Sequence, residues 1–288
     1  VFVSSLALPG AYDVAIFGNY AFVVTDWMNQ LVSVDITNPA APAIVQALIH
    51  QPGTDDDMFN PQGIAIDATG TYAYVAGEGS HNLDIFDISN PAAMAYVGYV
   101  YEGVGLMRLR GAADVLVDGN YAYVSASIGD SFTIVDITNP AAPVIVGALQ
   151  GAGAPNHMDH PVGLAKVGNT MYVCAYGEGY FNVVDVTNPA APAILGQFDF
   201  WAFPPFNWGR PTGVAVQGNF AYITTQSGGL NIDSMVVMNI TNPAAPAYSG
   251  SIRGEGAPNF LELAFGIAVP GPIFLAPSAQ TLPATGVT

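Results

Sequence analysis

A short proline-rich string occurs five times in the sequence and sets the period of the fold. The string reads ITNPAAP or a close variant, and its Asn-Pro pairs lie 49 to 54 residues apart. The asparagines of these pairs are Asn38, Asn90, Asn139, Asn188 and Asn242. A second string, in which a glycine turn precedes Tyr-Ala-Tyr-Val or a variant, keeps the same period. A repeat of about fifty residues is within the range of β-propeller blades.

Each repeat has the pattern of four short β-strands. In the fifth copy, residues 213–225 form two runs rich in β-branched and aromatic residues, divided by a Gly-Asn pair. That pair favours a tight hairpin turn because its residues accept positive φ. A third run leads into the Thr-Asn-Pro turn and a fourth follows it. No segment shows helical periodicity, so the pattern predicts an all-β fold, a β-propeller.

A weaker sixth copy, which begins at Ala264, predicts six blades. It supplies two strands at 265–269 and 273–276, and the run 1–8 aligns with the fourth strand of other repeats. The sixth blade is therefore expected to be shared between the N- and C-terminal segments. Its third strand could come from the tail, from a loose loop or from a neighbouring molecule. We assign residues 1–276 to one propeller domain and 277–288 to a tail that acts as closing strand, inter-subunit strand or linker.

The strand before each Asn-Pro turn also carries a family resemblance. The runs are LVSVDITNPAAP from Leu31, LDIFDISNPAA from Leu83, FTIVDITNPAAP from Phe132 and FNVVDVTNPAAP from Phe181. They resemble the LVIVD-repeat β-propeller proteins, and the resemblance extends to about residue 270. The resemblance implies a propeller fold and a secreted or cell-surface protein.

Composition excludes several classes of function. Five basic residues stand against 22 acidic ones, which gives a net charge of −17. So few cations cannot neutralise a phosphate backbone or an anionic membrane, so nucleic-acid binding is excluded. A single cysteine, Cys174, excludes a disulfide scaffold. The longest uncharged run, 263–288, contains four prolines and predicts no transmembrane helix. The start at Val1 without methionine is interpreted as a mature, processed chain.

Two loops carry candidate metal ligands. One holds His157, Asp159 and His160 within four residues, where imidazole and carboxylate groups could share a divalent ion. The alternative is a polar loop with solvated histidines. The other loop holds three consecutive carboxylates that could help to bind Ca²⁺, without the spacing of an EF-hand. These are Asp55, Asp56 and Asp57. Ca²⁺ is the one cofactor that these patterns suggest.

The first strands of a propeller surround its central channel, so the residues at which they begin are candidate site residues. We align Asp13, Gln62, Asp114, Val162, Thr212 and Phe265 at these positions. The two carboxylates among them could serve acid–base chemistry or metal binding. Because the sequence has no nucleophile motif and no phosphate-binding loop, we expect that the protein is not an enzyme.

Three further features are candidates for binding or modification. An aromatic loop with Trp201, Phe206, Trp208 and Arg210 suits ligand binding, or packs on the neighbouring blade. An aspartate precedes the Asn-Pro turn in four copies and is expected to stabilise it, at Asp35, Asp87, Asp136 and Asp185. In the fifth copy Asn239 replaces it and creates an N-glycosylation sequon.

The C-terminal pentapeptide LPATG resembles the LPxTG sorting signal of sortase-anchored surface proteins. The matching residues are Leu282, Pro283, Thr285 and Gly286. The hydrophobic stretch and basic tail that follow such a signal are missing after Gly286. The resemblance implies a role in sorting or assembly, or the match is accidental.

These observations favour an extracellular structural protein, a self-assembling subunit of a surface layer or filament. The supporting features are the low content of charged residues, 9% against roughly 25% in an average domain, and the incomplete sixth blade. The alternative is a binding or adhesion module that presents an acidic, aromatic loop face to a carbohydrate or protein. The expected partners are the protein itself, glycans or other surface proteins, at an extracellular or cell-surface location.

Overall fold

The computed structural model describes residues 5–49, 58–101, 107–202, 209–226 and 234–253. Within these ranges the chain forms five antiparallel sheets, each built from four consecutive strands. The strands of the first two sheets are β1 (Ala11–Phe17), β2 (Tyr20–Thr25), β3 (Gln30–Asp35), β4 (Ala43–Ile49), β5 (Pro61–Ile66), β6 (Tyr72–Gly77), β7 (Asn82–Asp87) and β8 (Ala95–Tyr101). Those of the third and fourth are β9 (Ala112–Asp118), β10 (Tyr121–Ala126), β11 (Ser131–Asp136), β12 (Val144–Gln150), β13 (Pro161–Val167), β14 (Thr170–Ala175), β15 (Tyr180–Asp185) and β16 (Ala193–Asp199). The fifth contains β17 (Arg210–Gln217), β18 (Phe220–Gln226), β19 (Ser234–Asn239) and β20 (Ala247–Arg253).

The five sheets are arranged as successive propeller blades. The first strands lie side by side in the order β1, β5, β9, β13 and β17, which places them innermost. The prediction of four-stranded repeats is therefore confirmed for five copies. The sixth copy lies outside the described ranges. In the part of the structure that is described, no helix has the length and hydropathy needed to cross a membrane.

The N-terminal run does not form its predicted strand over residues 5–8. A fourth strand needs a third strand beside it, and the segment expected to supply that strand lies outside the described ranges. Leu6 and Leu8 instead pack against buried valines of the first sheet. The carbonyl oxygen of Leu8 accepts a hydrogen bond from the backbone N–H of Ala11, which turns the chain into β1.

The Asn-Pro turns are held by side-chain caps, as the sequence predicts. The carboxylate of Asp35 accepts a hydrogen bond from the backbone N–H of Thr37 at 2.8 Å. The same bond recurs from Ser89 to Asp87, from Thr138 to Asp136 and from Thr187 to Asp185. In the fifth blade Asn239 accepts it from Thr241 at 2.9 Å. Because the acceptor is two residues from the donor, the sequence can encode this turn locally.

Neighbouring blades are joined by two kinds of close contact that repeat around the structure. One buries an inner-strand side chain against the preceding blade, as when Ile64 packs with Phe22, Val24 and Leu31. The other places a glycine of the fourth strand against the next blade's Asn-Pro turn. These glycines are Gly98, Gly147 and Gly196, and their contacts are the carbonyl oxygens of Pro140, Pro189 and Pro243.

The sole lysine, Lys166, occupies an apolar strand position and is ion-paired. Its ammonium group lies 2.5 Å from a carboxylate oxygen of Asp118 and also donates to the carbonyl oxygen of Gly168. The side chain is only 8% exposed. A charge buried to this extent needs such partners, and the pair lies at the blade end that carries the Gly-Asn turns.

Candidate functional site

The inner strands bring two carboxylates to the same register. Asp13 pairs with Val24, and Asp114 occupies the equivalent place opposite Ser125. The residues at this register in the other described blades are Gly63, Gly163 and Gly213. The sequence alignment is wrong by one residue in three blades, because it places Gln62, Val162 and Thr212 where the structure has these glycines. Every inner strand has its bulge at the same place, so the spacing to the hairpin glycine would have matched Gly163 and Gly213 with Asp13 and Asp114.

Each carboxylate joins its own blade to the next one. Asp13 accepts a hydrogen bond from the backbone N–H of Val14 at 2.8 Å through Oδ1 and one from Ile64 at 3.0 Å through Oδ2. Asp114 repeats the arrangement with Val115 at 2.8 Å and Leu164 at 3.0 Å. The carboxylates therefore replace the direct strand-to-strand contact of the glycine blades.

The glycines at this register allow the inner strands to approach closely. A Cβ on Gly63 would stand 2.9 Å from the Cα of Asp114, and one on Gly163 would stand 2.6 Å from the carbonyl oxygen of Thr212. Blade boundaries with a carboxylate therefore alternate with boundaries in which backbone touches backbone. The alternation leaves Asp13 and Asp114 on either side of Gly63.

A cavity of about 650 Å³ lies at the end of the channel where the inner strands begin. Its lining combines polar and apolar surface. The polar lining residues are Tyr12, Asp13, Gln62, Glu78, Asp114, Ser127, His160, Tyr176, Thr212 and Gln226. Five of the six channel residues predicted from the sequence line it, and the sixth, Phe265, lies outside the described ranges.

Burial perturbs the two carboxylates of the cavity. It raises the pKa of Asp114 to about 7, and the nearby charge of Asp13 raises it further, against the lowering effect of two backbone hydrogen bonds. Burial also raises the pKa of Asp13. Near neutral pH Asp114 therefore exchanges a proton with solvent, in a cavity that can admit a ligand.

The predicted histidine cluster is divided in the structure. His160 lines the cavity, with its ring 5.6 Å from that of Tyr176. His157 stacks on Tyr180 with ring centroids 3.9 Å apart, and its Nδ1 lies 2.9 Å from Glu178 Oε2. Asp159 lies against Gly177. No group of three His, Cys, Asp or Glu side chains able to hold a metal occurs among the described residues, and Asp55, Asp56 and Asp57 lie outside them. The metal site stays a prediction.

The other predicted sites are placed only in part. Trp201 is half-exposed, with its indole against Gly179. The guanidinium of Arg210 lies 5.0 Å from the ring centroid of Tyr176, beside the cavity. Asn239 is exposed at the end of β19, and its glycosylation stays a prediction. Phe206, Trp208 and the LPATG residues Leu282, Pro283, Thr285 and Gly286 lie outside the described ranges.

Exposed apolar side chains lie on the loops around the cavity, and apart from Trp201 sequence reasoning missed them. The largest exposures are 82% for Trp27 and 56% for Phe59. We call the set the apolar rim, and its members are Trp27, Met28, Phe59, Met107, Ile128 and Trp201. The signal in the sequence was the pair Trp27-Met28, because the same turn of the second copy carries only Glu78, Gly79, Ser80 and His81.

Solved structures with the same fold come from diverse bacteria. A protein of unknown function from Desulfotomaculum acetoxidans has a TM-score of 0.65 at 15% identity, over 90% of this chain and 74% of that one. The periplasmic gluconolactonase of Pseudomonas aeruginosa has a TM-score of 0.64 at 13% identity, over 82% and 68%. Hydrazine synthase of Kuenenia stuttgartiensis has 0.63 at 13%, over 85% and 67%. At this identity the likeness shows the fold alone.

The repeats themselves match a family model. No curated protein sequence matches the chain significantly. The LVIVD repeat model matches residues 10–48, 62–101, 110–150, 164–199 and 209–253. These ranges cover the five described blades and confirm the resemblance seen in the strands before the Asn-Pro turns. The chain belongs to the LVIVD repeat family.

Proposed function

We propose that this protein is an extracellular binding module whose ligand occupies the central cavity. The observation that carries the proposal is the cavity itself, about 650 Å³ lined by convergent polar side chains. Ligand sites are typically concave, within roughly 300–1,000 Å³, with a few polar groups placed for orientation. Here rigid inner strands hold those groups, which favours a preorganised site. Glycans and other surface proteins are the expected ligands.

Binding, rather than catalysis, fits the state of the two carboxylates. Each oxygen of Asp13 and of Asp114 already accepts a backbone N–H bond. Both side chains thereby hold neighbouring blades together, and the lone pair left on each oxygen can still accept a hydrogen bond from a ligand. Gluconolactonase is the name of one protein with a similar fold, and hydrolysis of an aldonolactone by this chain would contradict the non-enzymatic proposal.

Removal of two cavity tyrosines is expected to weaken ligand binding strongly. Tyr12 and Tyr176 both line the cavity and offer apolar faces with polar tips. On arrays of glycans and peptides, at least one ligand should bind the wild type. The Tyr12→Ala/Tyr176→Ala variant should bind that ligand roughly thirtyfold less tightly. Tyr99→Ala, which changes an exposed tyrosine of β8, is the matched control. A ligand held equally by all three proteins would place binding elsewhere.

We further propose that residues 265–276 form two strands of a sixth blade beside β1. Val14 is 52% exposed, whereas its register equivalents Ile64, Val115, Leu164 and Val214 are 5–9% exposed. Those equivalents are covered by the preceding blade, as Phe22 and Val24 cover Ile64. In the sixth copy, Leu275 aligns with Phe22, so it is the side chain suited to cover Val14.

Self-assembly into a surface layer or filament is the second candidate function. The observation in its favour is the exposed apolar surface of the first blade, which includes Ile16 on β1 and both Ile44 and Ile49 on β4. An exposed strand edge with apolar side chains is a template for pairing with another chain. A strand from a neighbouring molecule would complete the sixth blade, for which the sequence supplies no clear third strand.

Cysteine crosslinking separates ring closure from assembly. In a Val14→Cys/Leu275→Cys variant, a short bismaleimide is expected to join the two cysteines within one chain, because the sixth copy covers β1. The native Cys174 is buried and should not react. Crosslinked dimers and longer polymers would instead support assembly through exchanged segments. Electron microscopy of the wild type gives the independent readout, ordered filaments or isolated rings.

A further inference from the structure

The cavity and the apolar rim form one connected surface. The side-chain amide of Asn60 donates to Glu78 Oε2 at 2.7 Å, while the backbone N–H of Asn60 donates to Asn29 Oδ1 at 2.8 Å. Glu78 lines the cavity, Phe59 precedes Asn60 in the rim, and Met28 precedes Asn29. These bonds fix the rim of the first two blades to the wall of the cavity.

The rim continues over the next blade boundary. The ring of Phe59 lies on Gly79, in the turn that also holds His81. His81 Nδ1 accepts a hydrogen bond from the backbone N–H of Gly111 at 3.1 Å, and Ile128 packs over Gly111. The exposed apolar side chains of blades one to three therefore lie along one arc beside the cavity.

The described lining of the cavity is acidic. It contains three carboxyl groups, those of Asp13, Glu78 and Asp114, together with His160 and no lysine or arginine. Burial raises the pKa of Asp13 and of Asp114, and a cation beside them would stabilise their charged forms. The cation Arg210 stacks on Tyr176 at the side of the cavity. The complementary occupant is a cation, and the surrounding rim is complementary to apolar groups beside that cation.

We propose that this face docks a polypeptide that inserts a lysine or arginine side chain into the cavity and lays flanking apolar residues on the rim. The proposal rests on the function proposed above and names its ligand. A basic side chain has an apolar stem and a charged tip. The stem matches the apolar rim, and the tip matches the carboxyl groups of the cavity. Exposed Trp and Met side chains are typical of protein-binding surfaces, and Met adapts to partners of different shape. A small amine would bind the carboxyl groups of the cavity and make no contact with the apolar rim.

Short synthetic peptides test the proposal with a single changed side chain. Each peptide has apolar residues around a central lysine, arginine, norleucine or glutamate, and binding to the full chain is measured by calorimetry. We expect the lysine or arginine peptide to bind roughly thirtyfold more tightly than the norleucine peptide. Equal affinity for lysine and norleucine peptides would overturn the proposal, since the rim alone would then account for docking.

Single substitutions test which side chains cause the preference for the lysine peptide over the norleucine peptide. Glu78→Gln and Asp114→Asn should each remove most of the preference for lysine over norleucine, and Trp27→Ser should weaken both peptides alike. Glu78→Gln keeps the test decisive if Asp114→Asn fails to fold. Asp185→Asn is the matched control, because it removes one carboxylate at a turn where Asn239 stands naturally in the fifth blade. An unchanged lysine preference in both cavity variants would overturn the proposal.

A last pair of outcomes separates this proposal from the broader one. Binding of n-butylamine as tightly as the lysine peptide, without dependence on Trp27, would mean a small-amine site and no docked polypeptide. A neutral glycan that loses binding in the Tyr12→Ala/Tyr176→Ala variant, with no peptide bound, would leave the cavity as a binding site and refute its polypeptide ligand.

Discussion

The protein is expected to gain about 2 to 3 kcal/mol in its free energy of unfolding when the pH falls from about 8 to about 5, with Asp114 as the main cause. Its carboxyl has a pKa of about 7 in the folded protein, against an ordinary 3.8. The pKa is raised chiefly by burial and then by the charge of Asp13. Ionised Asp114 is therefore less stable in the folded chain than in the unfolded one.

The sign follows from the order of the two pKa values. Below about pH 4 Asp114 is protonated in both states, and its contribution to stability is fully present. As the pH rises from about 4 to about 7, the unfolded chain releases the proton while the folded chain keeps it, so stability falls. Asp13, whose pKa is also raised, adds in the same direction. The turn carboxylates Asp35, Asp136 and Asp185 have lowered pKa values, because Thr hydroxyl and N–H groups donate to them, and they act at lower pH.

Urea denaturation at a series of pH values measures this effect. In Asp114→Asn the gain between about pH 8 and about pH 5 should fall to the part supplied by Asp13 and Asp159, whose pKa values are also raised. The readout is the slope against pH, so an overall change in stability from the substitution does not interfere. Asp185→Asn, in an exposed turn, should keep the slope of the wild type. The assignment to Asp114 fails if its asparagine variant keeps that slope as well.

Gly147→Ala is expected to destabilise the protein by about 1 to 3 kcal/mol, the usual range for overpacking of a close contact. A Cβ at this position would overlap the carbonyl oxygen of Pro189 and stand 3.0 Å from Cδ of Pro192. Both atoms belong to the Asn-Pro turn of the next blade, which is held by its own cap and cannot move freely. The strain would therefore be stored at the joint between the third and fourth blades.

Gly250→Ala is the control for this substitution. Gly250 is the equivalent glycine of the fifth blade, opposite Val237, and a Cβ there meets none of the described residues within 4 Å. We expect its thermal midpoint to stay within a few degrees of the wild type, while Gly147→Ala lowers the midpoint clearly. Equal losses in both variants would point to a strand effect of alanine, and equal midpoints would mean that the blade joint tolerates the extra methyl group.

The sequence predicted the blades because their signals are local. The Gly-Asn hairpins and the Asn-Pro turns each depend on residues within a few positions of one another, as the bond from Thr37 to Asp35 illustrates. Repetition of these signals at a constant period also determined the family and the all-β class.

The candidate site could be predicted only in part, because its geometry depends on contacts between blades. Asp13 and Asp114 were recognised as channel residues, but their bonds to Ile64 and Leu164 exist only because the next blade packs beside them. His157 and His160 are close in sequence yet face different surroundings, and both adopt positive φ, 47° and 52°. Trp27 and Phe59 join the same rim although a whole strand pair separates them in the chain.

Local structure could be predicted from the sequence and the site could not, for one physical reason. The sequence by itself determined the turns, the strands and their period, because hydrogen bonds and φ preferences act over a few residues. Only the tertiary structure decided the cavity, the shifted pKa of Asp114 and the apolar rim, because burial and electrostatic coupling arise when separate blades are brought into contact.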